Sequence, residues 1–292
     1  MPDQTPYEPF GARLRVAMDS AGPLCAGIDP HPGLLDAWGL PDSPAGLESF
    51  AQRCVEAFAG VVACVKPQSA FFERHGAAGL AVLERTLTAL RAADTLSILD
   101  VKRGDIGSTM DAYAHAYLAD GAPLAADAIT VSPYLGYGSL RPALDLALRT
   151  GRGVFVLALT SNPEGATVQH ATVPGGAGSV AASIVAGVTS DNAQAAAQGR
   201  LGSVGMVVGA TVGDAVAQLG LDLAAANAPL LAPGVGAQGA TGADVVAVFG
   251  EARRDVLAAS SRELLSTGPQ VDALRAAAQR TATQFADMWG AP

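Results

Sequence analysis

The 292-residue chain is half hydrophobic, with 15% charged side chains and a formal net charge of −9, which argues against a nucleic-acid partner because phosphate backbones are held by clustered lysine and arginine. Cys25, Cys54 and Cys64 form no C-x-x-C and cannot all pair, as expected of buried thiols in a cytoplasmic protein. Asp3, Glu8, Arg13 and Arg15 interrupt any signal core, and no run of about 18 apolar residues escapes Gly, Pro or charge, so no membrane span is predicted.

In chain order, apolar runs of strand length fall at 24–29, 61–66, 96–102, 128–132, 153–160, 204–210, 229–233 and 255–260. Amphipathic stretches at 47–59, 79–93, 108–119, 140–150, 181–198 and 212–220 read as helices between them. A last helix at 271–289 places Leu274, Ala278, Phe285 and Met288 along one face. Near-continuously apolar strands alternating with helices predict a parallel sheet covered by helices. Eight such units favour a (β/α)8 TIM barrel, one domain over 1–292 with its core at about 24–262. An open doubly wound sheet stays in play, because periodicity does not report closure. Two Gly/Pro-rich loops, 161–178 and 234–242, follow the fifth and seventh strands and are candidates for lids or binding loops.

The polar residues collect where these strands end, the edge that carries chemistry in such a barrel. Asp29 ends the first strand and Lys66 the second; Asp100 and Lys102 end the third. Side chains alternate along a strand, so Asp100 and Lys102 are predicted on one face, with Asp105 in the turn beyond. Carboxylates around one ammonium can act on a bound anion; the plainer alternative is an ion pair on a solvated strand tip. Asp29 could equally cap a loop, and Lys66 could reach out to solvent. The fifth strand ends in Thr160-Ser161-Asn162, and the eighth in Ser260-Ser261-Arg262. After the seventh, Gly234, Gly236 and Gly239 free backbone N–H groups that can cradle a phosphate, with Arg262 as the cation. The spacing Gly234-x-Gly236-x-x-Gly239 also fits a dinucleotide loop, but it follows the wrong strand for one. His31, His75, His115 and His170 show no metal-ligand spacing and are expected at the surface or in loops, and Ser161 lies in no G-x-S-x-G elbow.

The stretch Leu99-Asp100-Val101-Lys102-Arg103-Gly104-Asp105-Ile106-Gly107-Ser108-Thr109 resembles the signature of the orotidine 5′-phosphate decarboxylase family, and its Arg-Gly resembles the second-type bacterial branch. Ala26–Pro30, Val65–Glu73, Ser161-Asn162-Pro163 and Ala232–Gly239 extend the likeness in the family's order, over roughly Leu24 to Arg262. The resemblance implies a TIM-barrel homodimer, without cofactor or metal, that converts orotidine 5′-monophosphate to UMP and CO2 in pyrimidine biosynthesis. It implies that Lys102 protonates C6 as CO2 leaves, beside Asp100, which also holds Lys102. Asp105 and Thr109 are expected to reach the neighbouring subunit's site. Asp29 and Lys66 would bind ribose hydroxyls, Lys66 also pairing with Asp100. Ser161 would contact the pyrimidine, while Gln238 and Arg262, with the Gly236 and Gly239 backbone, hold the phosphate.

Elementary chemistry agrees with that likeness. Loss of CO2 leaves negative charge on a ring carbon with no adjacent carbonyl to delocalise it, and a fixed ammonium there both stabilises the charge and supplies a proton. Two other readings remain. One is a metal-dependent sugar-phosphate decarboxylase or aldolase of the same barrel superfamily, which shares D-x-K-x-x-D. The other is an inactive phosphate-binding barrel.

Overall fold

Each predicted apolar run is a strand in the computed structural model, which describes residues 7–175, 178–235 and 239–289. The strands are β1 (Leu24–Ile28), β2 (Cys64–Pro67), β3 (Ile98–Arg103), β4 (Ala128–Val131), β5 (Gly153–Leu159), β6 (Val204–Val208), β7 (Leu230–Pro233) and β8 (Val256–Ser260). All neighbours are parallel, in the order β2-β1-β8-β7-β6-β5-β4-β3. The two ends of that order meet through isolated parallel bridges, Val65 with Ser97 and Gln68 with Asp100. The sheet therefore closes into a (β/α)8 barrel, and the open-sheet alternative falls. The β2–β3 seam is the thinnest part of the closure, with bridges in place of a continuous ladder.

Two apolar cores result. The larger lies between the helices and the outer sheet face, and the smaller fills the barrel. Cys25, Cys64, Ile98, Ala128, Phe155, Val207, Leu231 and Leu257, one from each strand, form that inner cluster with Phe10, Leu14 and Met18. The last three come from a helix at Phe10–Ala21 that the apolar-run reading did not single out. Phe10 meets Phe155 edge to face, their centroids 5.9 Å apart. Gly153 is required beneath it, since a Cβ there would lie 2.3 Å from the Phe10 ring. All three cysteines are free and buried.

Some boundaries differ from the sequence reading. β2 starts three residues late: Gly60, at φ +69°, ends the preceding helix Pro44–Phe58, and residues 61–63 form a turn. The helix expected at 212–220 shrinks to Ala215–Gln218, between Gly213 and Gly220, both at positive φ. The loop after β5 carries a short helix at Gly165–Gln169 and a bridge between Thr172 and Ser179. No helix among the described residues is long and apolar enough to cross a membrane.

Candidate active site

Two residues beyond the inner apolar layer, the same inward faces of β1 to β4 carry Gly27, Lys66, Asp100 and Thr130. Strand alternation alone thus puts a charged layer directly above a dry one. Lys66, Asp100 and Thr130 are all buried. The Lys66 ammonium donates to Asp100 Oδ2 at 3.1 Å and lies 3.4 Å from Gln68 Oε1, so it does not reach out to solvent. Lys102 donates to Asp100 Oδ1 at 2.6 Å, and the Thr130 hydroxyl donates to the same oxygen at 2.7 Å. One carboxylate is therefore held between two ammoniums and a hydroxyl.

Lys102 reaches this position by a route that simple alternation does not describe. Its φ is +45°, in the left-handed region, and the β3–β4 register shifts between Leu99 and Arg103. Such an irregularity re-aims a side chain at the rim of a barrel. The Lys102 N–H finds the Thr130 Oγ1 at 3.0 Å. Thr130 thus serves backbone and carboxylate together. It escaped the sequence reading because a lone threonine is an ordinary strand residue. The glycine after Arg103 is also forced, since a Cβ on Gly104 would lie 2.3 Å from the Ser132 carbonyl oxygen.

The electrostatics follow from these contacts. Burial pushes the Asp100 carboxyl up, but the charges of Lys66 and Lys102 and hydrogen bonds from Lys102 and Thr130 outweigh it, bringing its pKa down to about 2. Burial also works against the charged form of Lys66; the Asp100 and Asp29 carboxylates overcome it and hold Lys66 above the ordinary lysine range. The triplet within one chain carries one carboxylate and two ammoniums, a local excess of positive charge suited to an anion.

Of the 18 basic side chains in the chain, only Lys66 and Lys102 are lysines. Arginine supplies every other cation, and both exceptions touch Asp100. A compact, protonatable ammonium is chemically distinct from a guanidinium, which does not give up its proton in proteins. This signal was present in the sequence and was hidden by adding lysine to arginine.

The remaining candidates are more dispersed. Asp29 follows β1, and its Oδ1 is buried without a hydrogen-bond partner among the described residues, as is the hydroxyl of Ser261 after β8. Both border Gly27, whose Cβ would lie 2.7 Å from that of Ser261 and 3.4 Å from Asp29 Oδ1. Ser161 is exposed beyond β5 and lies against Gly209 at the end of β6. Arg262 is exposed at the start of the short helix Arg262–Leu265, and Gly239 is exposed with φ +111°. Gly236 and Gln238 lie outside the described residues. Asp105 does not join the triplet: its Oδ1 accepts from the N–H of Ile106 at 2.8 Å. Thr109 is exposed on the helix Gly107–Leu118. His75 lies in the turn before the helix Gly76–Ala92, within the loop-or-surface expectation for the histidines, with its side chain only 10% exposed and 3.4 Å from Asp42. Among the described residues no group of three or more His, Cys, Asp or Glu side chains is arranged to hold a metal ion.

Comparison with known proteins gives this site its context. The family model for "Orotidine 5′-phosphate decarboxylase / HUMPS family" matches residues 22–277. The orotidine 5′-phosphate decarboxylase of Streptomyces coelicolor is 59% identical over 279 residues, covering 95% of this chain and 97% of that protein. The enzyme of the same name from Salinispora arenicola is 60% identical over 273 residues, covering 94% and 95%. A crystal structure from Streptomyces avermitilis superposes with a TM-score of 0.92 at 56% identity, over 99% of both chains. The OMP decarboxylase of Leishmania donovani matches with a TM-score of 0.72 at 30% identity, over 97% of this chain and 100% of that one. Fold, motif order and full-length likeness to these relatives place this chain in the orotidine 5′-phosphate decarboxylase family.

Proposed function

We propose that this chain decarboxylates orotidine 5′-monophosphate to UMP and CO2, without cofactor or metal, as a step of pyrimidine biosynthesis. The observation that carries the reading is the convergence of the chain's two lysines on Asp100 at the mouth of the barrel. Lys102 is the proton donor. As the C6 carboxylate leaves as CO2, its bonding electron pair stays on C6, and the ammonium stabilises that charge and then transfers a proton to it. Asp100 fixes both ammoniums and lies beside the departing carboxylate. Lys66 and Asp29 take ribose hydroxyls, for which Asp29 Oδ1, buried without a hydrogen-bond partner among the described residues, is a ready acceptor. Ser161 contacts the pyrimidine. Arg262, Gln238 and the backbone at Gly236 and Gly239 hold the phosphate, whose remote binding energy tightens contacts at the reacting carbon.

The site works as a homodimer in this reading. Asp105, which makes no hydrogen bond to its own chain's triplet, and Thr109, exposed on its helix, complete the partner's site, giving a lysine-aspartate array of alternating sign. Ile106, Tyr134 and Leu135, 62%, 77% and 52% exposed, offer an apolar surface on the β3 and β4 loops for that contact.

The experiment is the loss of orotidine 5′-monophosphate absorbance with purified protein in excess chelator. Turnover in chelator is expected; a silent protein that acts on sugar phosphates once a divalent metal is restored would overturn the proposal in favour of the metal-dependent reading. Mixing inactive Lys102→Ala and Asp105→Ala proteins tests the shared site. Recovered activity in hybrid dimers is expected, and none despite subunit exchange would contradict it.

A further inference from the structure

Arg103 follows Lys102 directly, yet its side chain leaves the barrel mouth on the other side. Its Nη2 donates to Glu73 Oε1 at 2.7 Å, and Nη1 donates to the carbonyl of Val101 at 3.1 Å. The guanidinium carbon lies 5.6 Å and 5.9 Å from the ring centroids of Tyr113 and Tyr117, within cation–π range, on the helix that starts at Gly107. Glu73 is itself held by the Ser69 hydroxyl at 2.6 Å, and both lie on the short helix Ser69–Glu73 just after Lys66-Pro67-Gln68. The contact therefore runs from the end of β3 to the segment leaving β2. Only isolated bridges join those two strands, and Lys66 and Lys102 approach Asp100 from either side of that seam.

We infer that Arg103 and Glu73 form a positioning pair that ties the β2–β3 seam and thereby sets the spacing of Lys66 and Lys102 about Asp100. Neither side chain hydrogen-bonds or ion-pairs with the triplet, so their effect passes through the backbone. Lys102 sits at a left-handed φ that a regular strand does not supply, and the tether on its neighbour opposes relaxation of that bend. A forked, aromatic-stacked guanidinium suits this task better than a flexible ammonium. The consequence for rate rests on the decarboxylase reading, whereas the geometric claim does not.

The test uses Glu73→Gln and Arg103→Gln in the full-length protein, with Leu87→Ala, in the outer core, as a stability control. Two readouts are taken. The first is the split between kcat and KM for orotidine 5′-monophosphate. Small misplacement of reacting groups can cost about 10²-fold, and a fall of that order in kcat with KM nearly unchanged is expected. The second is acylation by acetic anhydride followed by mass spectrometry, which reports each of the chain's two lysines by name. Both pair variants should change the Lys66-to-Lys102 labelling ratio several-fold, while the control loses Tm and keeps the wild-type ratio. Glu73→Gln removes the ionic contact and leaves the ring contacts, so the test survives if Arg103→Gln folds poorly. An unchanged labelling ratio in a folded pair variant, or an equal change in the control, would overturn the inference. A wild type that does not decarboxylate would sink the proposed function while the labelling ratio still decides the brace.

Discussion

Cys25, Cys64, Ile98 and Ala128 face into a dry plug at the amino-terminal end of the barrel, closed by Phe10. Two residues further along the same four strands, Gly27, Lys66, Asp100 and Thr130 face into a charged mouth. The strands are shared; only the position along them differs. Buried charge is costly to desolvate and gains back its cost only with tight pairing, so the charged layer needs a rigid base beneath it. The plug supplies that base from apolar contacts that require no partner. Chemistry and stability are thereby separated along each strand, and substitutions at the two ends are expected to fail differently.

The sharpest break in that comparison is Lys102→Ala. Loss of the ammonium should reduce kcat by many powers of ten, beyond the ~10²–10⁴ of ordinary acid–base help, while the protein stays folded because this side chain is 46% exposed. Steady-state rates beside a thermal melt check both halves. Phe10→Ala should do the reverse, costing ~3–5 kcal/mol of stability with kcat per folded molecule close to wild type, read from urea unfolding and from rates at low temperature.

Acid sharpens the contrast further. The folded pKa of Asp100 is depressed to about 2, so its stabilisation is present above the ordinary carboxylate value and is lost as pH falls through 2. The loss is ~2 kcal/mol, and it should be absent from the acid limb of Asp100→Asn when urea midpoints are compared between about pH 5 and pH 2. Smallest of all is Arg85→Ala. Its surface ion pair with the half-buried Glu48 is screened by solvent, and its removal should leave both the melting temperature and kcat close to wild type, as a thermal melt and a rate assay will show.

Much of this was legible in the residues. Near-continuous apolar runs marked all eight strands in order, because a parallel sheet buries both faces. The Asp100–Lys102 contact was predicted, but by regular alternation, whereas the structure achieves it with a bent backbone at Lys102. Local strain of that kind leaves no mark in a hydrophobic pattern. Thr130 was invisible as a good strand former, and no contact between Glu73 and Arg103 was predicted because it joins the end of a short helix to the end of a strand 30 residues on. Residues 10–21 gave no sign of plugging the barrel, since what a helix covers depends on where the chain places it, beyond its own periodicity. The phosphate-loop residues Gly236 and Gln238 stay as sequence expectations.

The most direct test that the charged mouth is where the nucleotide reacts is protection of Lys102 from acetylation by UMP. The chain holds only two lysines, so mass spectrometry of the acetylated wild type assigns the result without ambiguity, and the terminal amine serves as internal control. Lys102 labelling that falls as UMP saturates, with the terminal amine unaffected, is the predicted result. Lys102 labelling that is indifferent to saturating UMP would place the nucleotide elsewhere and contradict the site.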